Sequence, residues 1–186
     1  MPGRRESLIA AIADYLLRHG LADLSLRPLA AATGTSARML VYYFGSKEKL
    51  VAAGMSEIRR RQRALAEDWS RSHPAAGFEE FLRFVWTWIE AREHQAYLRL
   101  FLEVLGRGSG GRFAGFARET FEEWVDWARN RFEAGGREAA EASALAILTV
   151  STIRGLALYL AATGDRRGAK TALHAFSGSP PWRRGG

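Results

Sequence analysis

The sequence predicts an all-α protein of about nine helices, with an N-terminal three-helix module followed by a larger helical region. Apolar residues recur at helical spacing along the chain, and no sustained alternation of apolar and polar residues predicts a strand. Glycine and serine interrupt this pattern where helices are expected to end and begin. The 186 residues are enough to bury a core, and the absence of cysteine excludes disulfides and thiolate metal sites.

Three helices are predicted in the first 44 residues, a longer first helix followed by two short ones. The first ends at Gly20, because glycine is typical of the position after a helix C-terminus. Ser25 is a predicted N-cap of the second helix, which ends at Gly34. Ser36 is a predicted N-cap of the third helix, which runs to about Phe44.

The remaining helices are predicted from the same kinds of residue, which typically end or begin helices. Gly45 and Ser46 precede a long helix over 47–72, and five further helices are expected at 76–93, 95–105, 112–134, 138–163 and 166–176. The glycine-rich segment 106–111 follows no strand and is interpreted as a flexible connector. Residues 178–186 have the composition of a disordered tail.

Positive charge is concentrated at the start of the chain. Residues 1–63 hold 11 Lys and Arg against 5 Asp and Glu, whereas residues 64–177 hold 14 against 15. An Arg-rich background accounts for the preference for Arg over Lys, but it does not account for this asymmetry. A local basic excess is the electrostatic pattern of a module that binds a polyanion.

The second and third helices have the spacing of a helix-turn-helix around the turn 33–36. Leu29, Leu40 and Phe44 are expected to fill its small core, and the remaining third-helix side chains then point outward. An outward arginine and outward tyrosines suit contacts with phosphates and base edges in a major groove. The alternative is a three-helix bundle with no nucleic-acid contact.

Residues 25–50, SLRPLAAATGTSARMLVYYFGSKEKL, resemble the signature of the TetR family of bacterial transcriptional regulators. That signature has Thr or Ser, an apolar residue and Arg, then a glycine turn, a short helix ending in an aromatic pair, and a Ser-Lys-Glu-x-Leu helix start. The resemblance implies a DNA-binding domain over 1–48, a ligand-binding and dimerisation domain over 49–177, and the tail 178–186.

The resemblance also implies DNA-binding residues, which are Arg27, Ser36, Ala37, Arg38, Met39, Tyr42, Tyr43 and Lys47. Of these, Tyr43 and Lys47 match phosphate-contacting positions, while Arg38 matches a groove-facing one. Arginine can pair with guanine through two hydrogen bonds, and methionine offers only apolar contact. Val41 replaces the family's usual tyrosine, so one phosphate contact is expected to be missing.

The larger region is rich in aromatic residues, for which core packing and the wall of a ligand cavity are alternative roles. The helix 76–93 is apolar on more than one face, so it needs a second packing partner or a cavity beside it. The candidate ligand-binding residues are Phe84, Trp86, Trp88, Tyr97, Phe101, Phe121, Trp124, Trp127 and Arg154. Their chemistry predicts an aromatic or apolar effector.

Residues 142–162 are apolar nearly all round, which predicts a helix buried on most of its sides. The resemblance implies a homodimer in which helices 138–163 and 166–176 pair with their copies. Arg154 interrupts the apolar run, and two roles for it stay open. It forms an ion pair with Asp126 or Glu122, or it faces the cavity and binds an acidic ligand.

The sequence points away from an enzyme. Its four histidines are scattered, and it has no nucleophile elbow, phosphate loop or dinucleotide fingerprint, so no catalytic residue, metal or cofactor is expected. We expect a cytoplasmic repressor with no membrane partner. It should bind a pseudo-palindromic operator in double-stranded DNA as a dimer, and a small effector should release it. The alternative is a helical module that binds small molecules or proteins without specific DNA recognition.

Overall fold

A computed structural model of the chain describes residues 3–74, 76–106 and 114–178. Within these ranges it has nine α-helices and no strand, which confirms the predicted class. The helices are α1 (Arg4–His19), α2 (Leu26–Ala32), α3 (Ala37–Phe44), α4 (Lys47–Ser72), α5 (Phe78–Glu90), α6 (Arg92–Gly106), α7 (Ala114–Ala134), α8 (Ala139–Thr163) and α9 (Arg166–Ser177). The predicted connector 106–111 and tail 178–186 lie, apart from their first residues, outside the described ranges.

The chain forms two compact units. The first unit contains Met1–Pro74 and Arg99–Ala117, and the second contains Ala75–Leu98 and Arg118–Gly186. Helix α6 therefore contributes its first half to the second unit and its second half to the first. Helix α4 belongs to the same compact unit as α1, and the functional division expected at residue 48 stays a prediction.

In the first unit, α1 and α4 cross at close range. Ile12 and Leu16 of α1 are fully buried, as are Val51 and Met55 of α4. A Cβ added to Gly54 would lie 2.7 Å from Cγ2 of Ile12 and 2.8 Å from Cδ1 of Leu16. The absence of a side chain at Gly54 is therefore what allows the two helices to approach this closely.

The C-terminal end of α1 is held by the second half of α6. Nη2 of Arg99 donates to the carbonyl oxygen of Leu17 at 3.0 Å. The carboxylate of Glu103 accepts from the backbone N–H groups of Leu21 at 2.8 Å and Ala22 at 3.1 Å. A cation thus meets the carbonyl groups at the helix end, and an anion meets the amide groups beyond it.

One core cluster of the second unit lies between α7 and α8. Ala128, Ala146 and Val150 are buried together, and aromatic side chains of α7 pack around them. The turn from α8 to α9 depends on Gly164, which has a φ of +70°, and on Asp165, whose side chain accepts from the N–H of Gly168 at 2.8 Å. These local contacts end α8 and begin α9.

One face of α8 is apolar and exposed in the single chain. It presents Ile147, Leu148, Leu158 and Tyr159, and Ile147 is 56% exposed. The length and apolar composition of α8 would also allow a membrane span, and it is the one such helix in the described ranges. Arg154 lies in its middle, where a bilayer would impose a large cost on a charged side chain.

The close crossing at Gly54 gives a test of the fold. Gly54→Ala should destabilise the protein by about 1–3 kcal/mol, because the added methyl group overlaps Ile12 and Leu16. Helix propensity alone predicts the opposite sign, a gain of about 1 kcal/mol. Urea unfolding measures the difference, with Ala52→Gly on the exposed side of α4 as the propensity control. A Gly54→Ala protein more stable than the parent would contradict the packing of these two helices.

Candidate DNA-binding surface and ligand cavity

The turn between α2 and α3 is built as the sequence predicts. Gly34 has a φ of +64°, a backbone conformation that glycine adopts at little cost. The N–H of Thr35 donates to the carbonyl oxygen of Ala30 at 3.0 Å, and the hydroxyl of Thr33 donates to that of Leu29 at 2.9 Å. These bonds fix the angle at which α3 leaves α2, while Leu29, Leu40 and Phe44 are buried beneath them, as expected.

The outer face of α3 is exposed and combines apolar, aromatic and basic groups. Arg38 and Met39 are exposed, and Tyr42 is 77% exposed. The ring of Tyr42 lies edge-on to that of Tyr43, with 5.4 Å between the ring centres. Arg27 is exposed at the start of α2, whereas Ala37 and Tyr43 are half-buried. All of them lie in the first unit.

Two of the candidate DNA-binding residues also have structural contacts. The hydroxyl of Ser36 accepts from the N–H of Met39 at 3.2 Å, so it caps α3. The ammonium group of Lys47 donates to the carbonyl oxygen of Leu24, just before α2 begins. A contact from Lys47 to a phosphate would compete with that bond, and its phosphate role stays a prediction.

The start of α1 adds two arginines that the sequence reasoning did not single out. Nη2 of Arg4 donates to the carbonyl oxygen of Gly34 at 3.2 Å. The guanidinium of Arg5 lies 5.4 Å from the centre of the Phe44 ring. Both tie α1 to the helix-turn-helix and add positive charge beside it. The adjacent arginines were visible in the sequence, but no local pattern indicated that they contact Gly34 and Phe44.

A cavity of about 40 Å³ lies inside the second unit, lined by α5, α6, α7 and α8. It has room for about three water molecules, since one needs roughly 10–15 Å³. Five of the candidate ligand-binding residues line it, namely Trp88, Tyr97, Trp124, Trp127 and Arg154. Their part in ligand binding stays a prediction.

The other four candidates lie elsewhere. Trp86 is buried and lines a separate groove between α5 and α9. Phe101 is buried and belongs to the first unit. Phe84 is half-buried and is not among the lining residues, and Phe121 lies beneath Arg154. Helical periodicity indicates which aromatic residues are buried, but it does not separate these environments.

The aromatic rings around the cavity form a connected chain. The ring centres of Phe81 and Trp127 are 4.6 Å apart, and those of Trp127 and Trp124 are 6.0 Å apart. Trp124 is followed by Trp88 at 5.4 Å, and Trp88 by His94 at 4.2 Å. Since these rings come from three helices, a molecule entering the cavity would have to move several of them.

Arg154 faces the cavity from α8. Its guanidinium carbon lies 4.4 Å from the centre of the Phe121 ring, and its positive charge acts on the hydroxyl of Tyr97. Of the carboxylates expected as its alternative partners, Glu122 pairs with Arg118 and Asp126 pairs with Arg129. Arg154 lines the cavity, and its part in binding an acidic ligand stays a prediction.

His94 was missed as a site residue because no motif in the sequence marks it. Burial, reinforced by the positive charge of Arg154, lowers the pKa of His94 to about 3. The imidazole is therefore neutral at neutral pH, and its buried Nδ1 has no hydrogen-bond partner among the described residues. Burial raises the pKa of the neighbouring Tyr97, so its hydroxyl stays protonated.

The described ranges contain no cluster of three or more His, Asp or Glu residues that would hold a metal ion. Comparison with known proteins gives a family match for the start of the chain. A family model described as bacterial regulatory proteins of the tetR family matches residues 8–53, which span α1 to the start of α4. That match covers 46 of the 186 residues.

Curated relatives and solved structures give further matches. The HTH-type transcriptional regulator BetI of Ectopseudomonas mendocina is 35% identical over 80 residues, covering 39% of this chain and 41% of that protein. The chain thus spans about two fifths of the length of that curated relative. A TetR transcriptional regulator from Legionella pneumophila superposes with a TM-score of 0.74, 19% identity and coverage of 95% and 97%.

A second solved structure has the same fold. The multidrug binding protein EbrR, complexed with imidazole, superposes with a TM-score of 0.71 and 20% identity, and the match covers 100% of this chain and 98% of that one. At this level of identity the likeness concerns the fold alone. It agrees with the all-α architecture that the sequence predicted.

The burial of His94 predicts an acid-sensitive step in stability. The unfolded chain binds a proton at this residue near its ordinary pKa of 6.5, whereas the folded chain does so only near 3. The neutral form of His94 therefore makes its full contribution to the free energy of unfolding above pH 6.5. This contribution is lost as the pH falls towards 3, and about 2 kcal/mol is lost by pH 5.

In a His94→Gln protein this acid-dependent loss of unfolding free energy should be absent. Urea unfolding at pH 7.5, 6 and 5 measures it, with His73→Gln at the exposed end of α4 as the matched control. The free energy of unfolding of the parent and the control should fall more steeply with acid than that of His94→Gln. Parallel pH profiles for all three proteins would contradict the burial described for His94.

Proposed function

We propose that this chain is a cytoplasmic, ligand-responsive repressor of the TetR family that binds a pseudo-palindromic operator as a homodimer and is released by a small effector. The observation that supports it most is where large apolar side chains stay exposed. Among the described residues, α3 exposes Met39, Val41 and Tyr42, and α8 exposes Ile147, Leu148, Leu158 and Tyr159. Exposed apolar groups concentrated in this way indicate surfaces that bind a partner.

The first surface is that of α3, which we propose lies in the major groove. Arg38 reads a base edge, while Met39 and Tyr42 make apolar contacts beside it. Arg27, Tyr43 and Lys47 contact phosphates, and Ser36 and Ala37 bring the start of the helix close to the groove. The geometry of the turn supports this role, because Gly34 and the cap at Ser36 let α3 run in a different direction from α2.

The second surface is the exposed stripe of α8, together with α9, which we propose forms the dimer interface. The stripe is long and apolar, and a Cβ added at Gly155 in its middle would meet nothing within 4 Å in the single chain. A second copy of α8 can therefore approach closely at that point. A two-fold dimer places two recognition helices about 34 Å apart, in successive major grooves.

The effector site is the cavity in the second unit, and the effector we propose is aromatic or apolar. Its lining of tryptophans provides a large apolar area at a small entropic cost. EbrR, which shares this fold, is a multidrug binding protein solved in complex with imidazole, and this agrees with small-molecule binding in the fold. Helix α6 then relays occupancy, because it carries Tyr97 of the cavity and Glu103, which holds the end of α1.

The DNA-binding role is tested by two substitutions with different expected effects. Arg38→Ala should relax the preference at one operator position, at a cost of about 1–3 kcal/mol, because a base contact is lost. Lys47→Ala should weaken binding about equally on all sequences and lower the salt slope by about one, because a phosphate contact is lost. The operator is first selected from random DNA, and gel-shift titrations at several salt concentrations then give the affinities.

Circular dichroism checks that both variants are folded, which matters for Lys47 because its side chain also bonds to Leu24. Unchanged specificity in Arg38→Ala, together with unchanged salt dependence in Lys47→Ala, would show that α3 and the start of α4 do not contact DNA as proposed.

The dimer is tested on the exposed stripe of α8. Ile147→Asp and Leu158→Asp should each convert the dimer to a folded monomer of 20.7 kDa, because a carboxylate would be buried without a partner at the interface. Leu65→Asp is the matched control, since Leu65 is 50% exposed on α4 in the first unit and should leave the mass unchanged. Light scattering gives the mass. A parent protein that is monomeric at the concentrations used for DNA binding would rule out the proposed dimer.

A further inference from the structure

We infer that the groove between α5 and α9 binds the segment that follows α9, residues 179–186, with Trp182 lying over Trp86 and the two prolines before it running along the groove. The inference goes beyond the proposed function, because neither DNA nor an effector takes part in it. The groove carries the argument for a ligand, and the position and composition of the segment carry the argument for this ligand.

The groove is a site separate from the tryptophan-lined cavity. It has a volume of about 370 Å³, against about 40 Å³ for the cavity, and it lies wholly within the second unit. Leu82 of α5 and Leu173 of α9 are buried and form an apolar floor together with Trp86. Polar and charged side chains form the rim. The groove therefore offers a bulky apolar side chain a place beside Trp86.

Trp86 gives the groove a hydrogen-bond donor that is not in use. Its side chain is 5% exposed, and its Nε1 is buried with no hydrogen-bond partner among the described residues. A buried N–H group without an acceptor costs free energy, so such groups generally have a partner in protein, water or ligand. A ligand that brings a carbonyl oxygen to Trp86 would remove this cost.

The segment begins at one end of the groove. Ser177, the last residue of α9, lines the groove, and Gly178 follows it as the last described residue. The end of α9 lies beside the start of α5, where the ring centres of Phe176 and Phe78 are 6.3 Å apart. A ligand attached in this way has an effective concentration in the millimolar range. Covalent connection thus favours this segment over a free ligand of the same chemistry.

The length of the segment matches that of the groove. The groove extends along α5 from Glu79 to Glu90, which is about 16 Å at about 1.5 Å per residue. Five extended steps of about 3.3 Å cover the same distance. If the segment starts beside Glu79, its fourth residue, Trp182, comes level with Trp86. Its sixth residue, Arg184, comes level with Glu90.

The two prolines suit a groove with a tryptophan donor. Pro180 and Pro181 have φ fixed at about −65° and favour the extended polyproline II conformation, so they lose little conformational entropy on binding. They have no N–H group that would need a partner, and their carbonyl oxygens can accept from an indole N–H. Grooves lined with aromatic side chains bind proline-rich segments in this way. The segment thus has the shape and the acceptors that the groove and Trp86 require.

The rim of the groove is electrically mixed. Its titratable side chains are two acids, two bases and one imidazole, namely Glu79, Glu90, Arg83, Lys170 and His174. Lys170 pairs with Glu90 at 3.3 Å. Exposed ion pairs contribute little, so the basic residues 183–184 should add little to the binding. We therefore expect Trp182 and the prolines to provide most of it.

Disulfide cross-linking tests the inference, because the chain has no cysteine of its own. Thr87 is exposed on the rim, level with the expected position of Arg183. A protein carrying Thr87→Cys and Arg183→Cys should form a disulfide within one chain on mild oxidation, which non-reducing electrophoresis and a count of free thiols detect. Adding Trp182→Ala should lower the rate about fivefold or more, because the docked state that raises the local thiol concentration is lost.

A variant of the groove tests the other partner. Trp86→Phe keeps an aromatic ring and removes the N–H donor, so the rate should fall about two- to tenfold. Trp69→Ala is the matched control for loss of a tryptophan, since Trp69 lies on α4 in the first unit and should leave the rate unchanged. Circular dichroism checks the fold of each protein, and the reaction of Thr87→Cys alone with oxidised glutathione checks that its thiol is equally accessible.

The dependence of the disulfide on Trp182 separates docking from random encounter. A fast disulfide within one chain that is slowed by Trp182→Ala and by Trp86→Phe, but not by Trp69→Ala, would support the inference. A rate that Trp182→Ala leaves unchanged would overturn it, because the segment then meets the rim by chance. A folded protein that forms no disulfide, or forms it only between two chains, would overturn it as well.

Discussion

The close crossing of α1 and α4 at Gly54 is the contact on which the first unit depends. Helices α2 and α3 have 7 and 8 residues, too short to be stable by themselves, so their positions are set by the helices that hold them. Helix α1 is fixed in its middle by the crossing, at its start by Arg4 on the Gly34 carbonyl, and at its end by Arg99 and Glu103. A shift of α1 would therefore carry the helix-turn-helix with it.

Most helix ends were predictable because their causes are local in sequence. Gly20, Gly34, Gly45 and Gly164 all have positive φ where a helix was predicted to end, and the hydroxyls of Ser36 and Ser46 cap the helices that follow. The break between α5 and α6 was misplaced at residues 93–94. It falls at Ala91, where no glycine or proline marks it and where Gln95 donates to the carbonyl oxygen of Ile89. That bond joins two helices, and local sequence patterns carry no information about it.

The candidate ligand site was predictable in composition but not in detail. Aromatic richness indicated a cavity among α5, α6 and α7, and Trp88 and Trp124 line it. The same signal included Trp86, which lines a groove beside α9. Trp86 and Trp88 both lie on buried sides of α5, so the pattern does not tell them apart. His94 was missed since its importance arises from burial and from Arg154, a residue 60 positions later in the chain. Periodicity shows that a side chain is buried, and only tertiary structure shows what surrounds it.

The proposed function requires a small difference in free energy, and the contacts at the end of α1 have the right size to supply it. Coupling between an effector and DNA typically amounts to about 1–3 kcal/mol. A hydrogen bond to a charged group contributes about 1.5–3 kcal/mol, so the bonds from Arg99 and Glu103 to the backbone suffice. Both residues lie on α6, within two turns of Tyr97 in the cavity wall. These bonds hold the end of α1 within the first unit, where α2 and α3 also lie.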